Sequence, residues 1–432
     1  MTKVAFYTLG CKVNQYETEA MEELFKKRGY SIVSPDENAD IYVINTCTVT
    51  NLGDRKSRQF IRRAKKINKD SIVAAVGCYS QIAPEEVEKI EGVDIVIGNI
   101  DKDKIVDLCE KAKTERKKIN IVKNIRSYKE FENLNIEEVN SKTRAYIKIQ
   151  DGCNQYCSYC IIPYARGPIR SRKLDDIIIE ARRLADSGFK EIILTGIHVA
   201  SYGKDLGDVN LLDVISKVNE IEGIERIRLS SMEPTFIDEK FMQKAVEIKK
   251  LCDHFHLSLQ SGSDTVLKRM NRKYTKNQYR DIVALIRKYM PKAGITTDII
   301  VGFPGETEEE FNETCDFVNE IGFSRIHVFK YSPRNGTPAS KMENQIHGSK
   351  KHERSEKLIS LGDKLMDKFN SQFIGRTIEV LFEEEKDGYY EGYTTNYVRV
   401  KSLSKDNIQG NILPVKIINK ENDFLIGKIE DL

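Results

Sequence analysis

Three of the nine cysteines lie close together in the chain and carry the strongest chemical signal in it. Cys153, Cys157 and Cys160 are spaced C-x3-C-x2-C within DGCNQYCSYC, directly after a predicted strand. A structural zinc site needs four tetrahedral ligands, and the next Cys or His in the sequence is His198. Three thiolates suit a [4Fe-4S] cluster with one iron left open to an outside ligand, because cluster irons are normally held by four cysteines. The alternatives are a zinc site and unliganded thiols.

Three more cysteines are far apart in sequence, yet each lies at the end of a predicted strand. Cys11 ends FYTLGC, Cys47 ends YVINTC and Cys78 ends AAVGC. Parallel strands end along one edge of a sheet, where open α/β sheets bind ligands. This shared position favours a second three-cysteine site over the alternative that each thiol is a small buried hydrophobe. The other cysteines share no such pattern and are expected to be packing residues. They are Cys109, Cys252 and Cys315.

Length and composition describe a large, ordered chain. At ~150 residues per domain, 432 residues correspond to about three domains, and 40% hydrophobic with 31% charged residues is typical of folded proteins. No apolar run approaches the ~20 residues that span a bilayer, and the stretch 4–9 is too short for a signal peptide. We therefore expect a cytoplasmic protein without a membrane segment, whose thiols serve metal or redox chemistry rather than disulfides. The formal charge of +3 neither requires nor excludes a polyanionic partner.

The first 125 residues alternate short apolar runs with amphipathic helices. Such alternation predicts a parallel sheet covered by helices on both faces, and thus an N-terminal α/β domain. A polar and charged stretch over residues 126–138 indicates a linker. Strands are predicted at residues 4–9, 40–45, 72–76 and 93–97, and helices at residues 16–28 and 54–68 and through Cys109.

A second alternating series fills residues 139–370. Its six strand-helix units fit a central partial (βα)6 barrel, whose functional residues lie at the C-terminal strand ends. From residue 372 to 432, short alternating segments separated by turn residues predict a small C-terminal β-barrel. The six strands are predicted near residues 145–150, 191–195, 226–230, 254–260, 295–301 and 325–331.

Two segments together resemble the methylthiotransferases of the radical S-adenosylmethionine (SAM) superfamily. They are GCKVNQYETE at residues 10–19 and GCNQYCSYCIIPYARGPIRSR at residues 152–172, with Tyr159 before the third cysteine. Both look most like the MtaB branch, which acts on N6-threonylcarbamoyladenosine beside the anticodon of certain tRNAs. The resemblance covers nearly the whole chain. It implies an N-terminal α/β domain with three cysteines, a radical SAM barrel and a terminal β-barrel called TRAM.

The resemblance also implies the cofactors and the chemistry. C2 of adenine carries no acidic proton, so a radical is needed to attack that C–H bond. In this family, a reduced [4Fe-4S] cluster, here on Cys153, Cys157 and Cys160, cleaves SAM to a 5′-deoxyadenosyl radical that removes the hydrogen. A second [4Fe-4S] cluster, expected on Cys11, Cys47 and Cys78, holds the sulfur that is methylated and joined to carbon. The expected partners are the tRNA anticodon stem-loop and an external one-electron reductant. Nothing in the sequence indicates a dimer, so a monomer is expected.

The residues that bind SAM are expected at the C-terminal strand ends. Glycine there permits a backbone to approach a ligand closely, but it serves equally in an ordinary tight turn. Thr307 and Glu310 form a T-x-x-E capping box, which explains part of the last loop but not Glu306. His198 is a further donor, with a hydrogen-bonded core histidine as the alternative. The candidates are Tyr159, Thr195, Gly196, Ser231, Glu233, Gln260, Gly302 and Glu306.

Basic residues mark two candidate RNA contacts. Residues 55–69 hold eight Lys or Arg and no Asp or Glu, which favours phosphate contact over an ordinary solvated helix. Just after the cysteine motif, Arg166, Arg170 and Arg172 are expected to bind phosphates or a carboxylate of the substrate, with ion pairs inside the protein as the alternative. The candidates in the first segment are Arg55, Lys56, Arg58, Arg62 and Arg63.

The C-terminal segment 372–432 carries 8 basic and 11 acidic residues, a net of −3, which is unexpected for an RNA-binding module. Tyrosines near Arg399 and Lys401 nevertheless offer rings on which bases can stack, although alternating tyrosines are also ordinary strand residues. These tyrosines are Tyr389, Tyr390, Tyr393 and Tyr397.

Three other functions compete with the modification of threonylcarbamoyladenosine. Sister branches of the family act on isopentenyladenosine in tRNA or on an aspartate of a ribosomal protein, which the acidic terminal barrel would suit. The third alternative is an RNA-binding adaptor whose metal sites are structural. Such an adaptor would lack acid-labile sulfide, so metal content separates it from the enzymes.

Overall fold

The computed structural model describes residues 1–134 and 143–430 of the 432-residue chain. The last part of the predicted linker, residues 135–138, lies outside the described residues. Within them, a parallel sheet, a partial barrel and a closed barrel follow one another in the predicted order. No helix of the described residues is long and apolar enough to cross a membrane.

The N-terminal part of the chain folds into a six-stranded parallel sheet between two layers of helices. Its strands are β1 (Lys3–Thr8), β2 (Ser31–Val33), β3 (Ile41–Thr46), β4 (Ile72–Gly77), β5 (Ile95–Ile97) and β6 (Ile119–Asn120). Its helices are α1 (Lys12–Lys27), α2 (Asn51–Ile67), α3 (Cys78–Ile82), α4 (Pro84–Glu88) and α5 (Ile105–Glu115). The strands lie in the order β2-β1-β3-β4-β5-β6. Alternate residues of β1 and β3 enter separate hydrophobic clusters, so both faces of the sheet are buried.

The central part of the chain forms an open barrel. Its strands are β7 (Arg144–Asp151), β8 (Arg170–Ser171), β9 (Glu191–Gly196), β10 (Arg226–Leu229), β11 (His254–His256), β12 (Gly294–Val301) and β13 (Arg325–Lys330). Its helices are α6 (Ile162–Arg166), α7 (Leu174–Asp186), α8 (Leu211–Asn219), α9 (Glu239–Ala245), α10 (Asp264–Arg269), α11 (Lys276–Tyr289), α12 (Glu308–Ile321) and α13 (Gly348–Ser371). Sheet β10-β9-β7-β8 continues into sheet β11-β12-β13 through isolated bridges such as Ile227 to Leu251.

The C-terminal part is a closed five-stranded barrel. Its strands are β14 (Thr377–Lys386), β15 (Tyr389–Tyr393), β16 (Arg399–Ser402), β17 (Ile412–Glu421) and β18 (Phe424–Ile429). They close in the order β14-β15-β16-β18-β17 around a small apolar core that includes Val380, Val400 and Leu425. Closure leaves no free sheet edge. The predicted α/β class with a terminal β-barrel is therefore confirmed.

Two differences from the predicted elements affect the site. Helix α1 begins at Lys12 rather than near residue 16, so Cys11 is its N-cap residue. The fourth barrel strand, β11, ends at His256 rather than at Gln260, and the following residues join their neighbours only through single bridges. Gln260 has a φ of 69°, a left-handed conformation that interrupts regular pairing and that a non-glycine residue adopts at a cost in energy.

Candidate active site

The cysteine loop Cys153–Cys160 follows β7 directly and is shaped by its own backbone. The Cys160 N–H donates to the Cys157 carbonyl at 2.9 Å, which closes a tight turn, and the Gln155 N–H donates to the Cys153 sulfur at 3.5 Å. Burial raises the pKa of Cys153 to about 11 and that of Cys160 to about 12, and the Cys157 thiol adds to both shifts by repulsion. The three thiols therefore lie close enough together for their charges to repel when they ionise.

Arg272 is a polar residue that contacts a cysteine of this loop through its side chain, and the sequence did not identify it. Its guanidinium donates to the Cys157 sulfur at 3.3 Å and to the Glu233 carboxylate at 2.9 Å, and it lies 4.9 Å from the centre of the Tyr274 ring. Arg272 lies within RMNRKY, where nothing in the local sequence separates it from the neighbouring arginine, Arg269.

His198 and Glu233 lie beside one another next to this arginine. The His198 Nε2 is 3.9 Å from the Glu233 carboxylate, beyond hydrogen-bond distance, and both ring nitrogens are buried without a hydrogen-bond partner among the described residues. Burial lowers the pKa of His198 to about 4, so the ring is neutral near pH 7. The alternative interpretation of His198 as a hydrogen-bonded core histidine is therefore wrong.

The other three cysteines lie at the carboxyl edge of the N-terminal sheet, just after β1, β3 and β4. Gly10 has a φ of 103°, and a Cβ there would lie 3.0 Å from the Cys47 sulfur, so this close approach of the two segments requires glycine. The Cys78 thiol raises the pKa of both Cys11 and Cys47 by repulsion, although burial is the larger cause in each. The Asn99 side chain donates to the Cys78 sulfur at 3.5 Å.

Buried polar contacts fix the two cysteine sets relative to each other. Arg166, on α6 just after the Cys153–Cys160 loop, donates to Asn14 at 2.6 Å and to Glu17 at 2.9 and 3.1 Å, both on the helix that follows Cys11. It also contacts Asp151 at 3.1 Å, at the end of β7. Asn99 donates to the Ala165 carbonyl of α6 at 2.8 Å while it also contacts Cys78.

These contacts correct one prediction. Arg166, Arg170 and Arg172 are buried, and their guanidinium groups are paired within the protein rather than available to RNA phosphates. Arg170 lies 3.6 Å from Asp151, and Arg172 forms an ion pair with Glu180. The alternative interpretation, ion pairs inside the protein, describes all three.

Among the described residues, three of the six cysteines accept a hydrogen bond from nitrogen. The Gln155 N–H donates to Cys153, and the Asn99 and Arg272 side chains donate to Cys78 and Cys157. The Cys11 thiol itself donates to the Asn14 side chain at 3.7 Å. Nitrogen donors around three thiols fit a [4Fe-4S] cluster, whose sulfurs and thiolates are stabilised by such hydrogen bonds. The remaining cysteines occur in hydrophobic packing, with Cys109 in a core of the N-terminal sheet and Cys315 against the barrel core. Cys252 is buried as well.

A cavity of about 500 Å³ lies where the three parts of the chain meet. The N-terminal sheet contributes Cys11 and Lys12, the barrel contributes strand-end residues such as Thr195 and Ser231, and the C-terminal barrel contributes Tyr397. This volume is within the range of about 300–1,000 Å³ for small-molecule pockets. The cavity can therefore hold a ligand the size of a modified nucleobase beside Cys11.

Comparisons with known proteins agree with this arrangement. Residues 147–318 match the Radical SAM superfamily, and residues 3–98 match the uncharacterized protein family UPF0004. The threonylcarbamoyladenosine tRNA methylthiotransferase MtaB of Bacillus subtilis is 46% identical over 97% of this chain and 94% of its own length. The tRNA-2-methylthio-N(6)-dimethylallyladenosine synthase of Clostridium tetani is 39% identical over 98% of this chain and 95% of its own length.

The chain belongs to the radical SAM methylthiotransferase family. As a radical SAM enzyme it uses SAM and a [4Fe-4S] cluster. Among solved structures, the radical S-adenosylmethionine methyltransferase TsrM of Kitasatospora setae matches with a TM-score of 0.58 over 79% of this chain and 77% of that chain, at 14% identity. That likeness supports the fold.

In this radical SAM methylthiotransferase, the strand-end candidates for SAM binding differ in what they contact. Thr195, Gly196 and Ser231 line the cavity, and Glu233 is held by Arg272. Tyr159 is partly buried with its ring 6.5 Å from that of Phe303. The backbone N–H and carbonyl of Gln260 both pair with β12, whereas its side-chain amide has no hydrogen bond among the described residues.

The last loop of the barrel is held by protein contacts. The Glu306 carboxylate accepts hydrogen bonds from the Gly302 N–H and from Arg354 of α13, both at 2.7 Å. Thr307 and Glu310 form the predicted capping box of α12. Glu306 thus has a structural role that the sequence did not reveal, because its partner Arg354 is 48 residues away.

The basic segment of this methylthiotransferase forms helix α2. Arg58 contacts Tyr79 and Glu86, and Arg63 forms an ion pair with Asp36. The other predicted residues are exposed and have no ion pair among the described residues. They are Arg55, Lys56 and Arg62.

The C-terminal tyrosines contact protein more than solvent. Tyr397 stacks between His254 at 4.6 Å and Tyr393 at 4.8 Å, so both tyrosines face the base of the barrel. Tyr390 is buried in the small barrel, and Tyr389 is partly exposed. Arg399 and Lys401 are paired with acidic neighbours and lie over the Phe424 ring. Of the four tyrosines, only Tyr389 is placed on the surface.

Proposed function

We propose that the protein converts N6-threonylcarbamoyladenosine at position 37 of tRNA, 3′ of the anticodon, into its 2-methylthio derivative. The observation that carries this proposal is similarity over nearly the whole chain to relatives named for that nucleoside, at 46% identity in Bacillus subtilis and 42% in Aquifex aeolicus. Relatives named for the dimethylallyl nucleoside are 35–39% identical. Isopentenyladenosine is therefore the second candidate substrate.

The six cysteines of the two sets are the proposed ligands of two [4Fe-4S] clusters. Cys153, Cys157 and Cys160 would hold the cluster that binds SAM, and Cys11, Cys47 and Cys78 would hold the auxiliary one. Bound there, the first cluster with SAM supplies the hydrogen-abstracting radical, the second supplies sulfur, and an external reductant supplies single electrons. The cavity lies between the two sets, because Cys11 lines it on one side and Ile162, just after Cys160, on the other.

The residues of the chain position the reactants and exclude water. Glu233 is an acceptor suited to the ammonium group of SAM, and Arg272 holds this carboxylate against Cys157. Thr195, Gly196 and Ser231 line the cavity at the strand ends. The Arg166 network keeps α6 against α1 and so fixes the separation of the two cysteine sets. A fixed separation favours sulfur transfer to a carbon that both sides can reach.

Helix α2 is the proposed contact with the anticodon stem. Its exposed residues Arg55, Lys56 and Arg62 offer positive charge to phosphates. The helix begins next to the cavity, because Val49, two residues before its first residue Asn51, lines the cavity.

The proposal is tested with the anaerobically reconstituted protein, SAM, a reductant and two anticodon stem-loops. One stem-loop carries N6-threonylcarbamoyladenosine at position 37, and the other carries isopentenyladenosine. Mass spectrometry of the digested nucleosides should show a methylthio product from the first only. A product from the second stem-loop only would assign the protein to the dimethylallyl branch. No product from either stem-loop would refute tRNA as its substrate.

The division of labour between the cysteine sets has its own test. Cys47→Ala should abolish the methylthio product while SAM cleavage, measured as 5′-deoxyadenosine, persists. If Cys47→Ala also abolished SAM cleavage, the two sets would not have separate roles.

A further inference from the structure

Lys12 is a cation at the wall of the cavity without an anionic partner. It is the first residue of α1, directly after Cys11, and its ammonium nitrogen lies 5.9 Å from the centre of the Tyr146 ring. Among the described residues it has no ion pair and no side-chain hydrogen bond. A charged group beside a cavity is costly unless a partner compensates it, and no protein group among residues 1–134 and 143–430 does so.

The two arginines and His256 of the cavity lining already have carboxylate neighbours. Arg228 pairs with Glu191 at 2.7 Å, Arg325 pairs with Asp423 at 2.8 Å, and His256 lies 3.2 Å from Asp298. None of the residues that line the cavity in the described part of the chain is Asp or Glu. Lys12 therefore gives the cavity an uncompensated positive charge.

The start of α1 adds to this preference for an anion. The helix is 16 residues long, has no acidic residue in its first turn, and begins at the cavity wall. The partial positive charge and free N–H groups of a helix N-terminus favour a negatively charged ligand group. The ammonium of Lys12 and the helix end thus act at the same wall.

The Lys12 side chain extends from the wall beside Cys11 towards the lower end of the cavity, since its ammonium lies near Tyr146 at the start of β7. The lining runs from strand ends at Thr195 and Ser231 down to the first residues of other strands, such as His254 and Arg325. A purine at the upper end would leave room below for a substituent on N6. Lys12 can reach such a substituent because its side chain is long. Arg144 and Arg228 would not compete for it, because both are already paired with carboxylates.

We propose that Lys12 binds a carboxylate on the N6 substituent of the target adenine, so that the cavity selects an acidic substituent over an apolar one. The inference rests on the proposed function, since the threonylcarbamoyl group carries such a carboxylate and the isopentenyl group does not. Without the carboxylate, the cation would face an apolar group and lose its hydration without gaining an ionic partner.

The test measures binding as well as turnover, with Lys12→Gln, Lys12→Arg and a control, Lys113→Gln, at an exposed lysine of α5 with no ion pair among the described residues. Fluorescence anisotropy gives Kd for three stem-loops, which carry at position 37 threonylcarbamoyladenosine, its carboxyl methyl ester, or unmodified adenosine. Iron content and visible absorption are measured for every variant, so that loss of a cluster beside Cys11 is recognised.

Lys12→Gln should weaken binding of the acid form about 10- to 100-fold, as expected for loss of a hydrogen bond between charged groups. It should leave Kd for the ester and for adenosine within about 2-fold, because those ligands lack the charge. Lys12→Arg should recover most of the loss, and Lys113→Gln should behave as wild type.

Two other sources of the anion would overturn the inference, and the stem-loop data together with a titration of each variant with SAM separate them. Equal weakening for all three stem-loops would show that Lys12 contacts a backbone phosphate. A raised Kd for SAM with unchanged stem-loop binding would assign Lys12 to the carboxylate of SAM. If wild type itself shows no preference for the acid form and does not modify it, the proposed function fails; if wild type prefers it and Lys12→Gln retains that preference, the inference about Lys12 alone fails.

Discussion

Glu17 is the residue whose removal should most clearly disturb the joint between the N-terminal sheet and the barrel. Its carboxylate is fully buried and contacts Lys148 at 2.7 Å, Arg166 at 2.9 Å and Lys102 at 3.5 Å. With Arg170, Asp151 and Glu132, these groups form a cluster of four cations and three carboxylates. Replacing Glu17 by Gln leaves four cations with two carboxylates in a region that water does not reach.

Breaking one side of a buried ion pair typically costs about 3–5 kcal/mol, because the remaining charge stays desolvated. At roughly 2–4 °C per kcal/mol for a unit of 150–250 residues, Glu17→Gln should lower the midpoint of thermal unfolding by about 6–20 °C. The matched control is Glu313→Gln, which removes the same charge from an exposed position of α12. Surface changes of this kind usually stay within about 0.5 kcal/mol.

The pH dependence provides a second measurement of the same interaction. The cations around Glu17 hold the pKa of its carboxyl below the ordinary value of 4.5. A carboxyl with a lowered pKa contributes stability above its unfolded pKa and loses that contribution as the pH falls towards the folded pKa. The gap in midpoint between wild type and Glu17→Gln should therefore be widest above about pH 5 and narrow on acidification. A gap in midpoint below about 2–4 °C at pH 7, which corresponds to about 1 kcal/mol, or a gap that is independent of pH, would refute the reasoning.

Three further predictions concern the cofactors and the base of the barrel. Reconstituted wild type should bind about eight iron atoms per chain and Cys78→Ala about four, as measured by iron and sulfide analysis; equal contents would contradict the second cluster. Arg272→Lys keeps the charge but loses the planar fork that joins Cys157 to Glu233, so 5′-deoxyadenosine formation should fall about 10- to 100-fold at unchanged iron content; an unchanged rate would show that the fork is dispensable. Tyr397→Ala should lower the free energy of unfolding by about 3–5 kcal/mol and Tyr397→Phe by less than about 1 kcal/mol, measured by denaturant titration, because the rings on either side contact the ring and not the hydroxyl; equal losses would contradict this account.

The local pattern of the sequence was sufficient to predict the elements and the position of three cysteines at one sheet edge, and insufficient for the arginines. Cys11, Cys47 and Cys78 could be grouped because a strand end is visible in the residues just before it, and parallel strands share an edge. Arg166 could not be assigned in the same way, since its partner Glu17 is 149 residues away in the chain. A basic residue that will be buried in an ion pair looks, in sequence, like one that will meet RNA.

The same limit explains the C-terminal barrel. Its acidic composition argued against RNA binding, and its tyrosines argued for it, yet neither observation shows which face meets the rest of the chain. Arg228 donates to the carbonyls of Thr394 and Thr395, and the Tyr397 ring packs on His254. Segment 393–397 of the C-terminal barrel therefore covers the lower end of the central barrel. Only the packing of distant segments reveals that role.

The three parts of the chain are therefore incomplete when taken separately. The central barrel carries Arg272 and the cysteine loop Cys153–Cys160, but α1 of the N-terminal sheet supplies one wall of its cavity and Tyr397 part of the base. Buried pairs fix each junction, with Arg166 and Glu17 at the wall and Arg228 below. Since buried pairs specify a unique arrangement more than they add stability, their placement at the junctions fits a requirement for alignment. The reaction proposed above, with a radical from one cysteine set and sulfur from the other, would depend on that alignment.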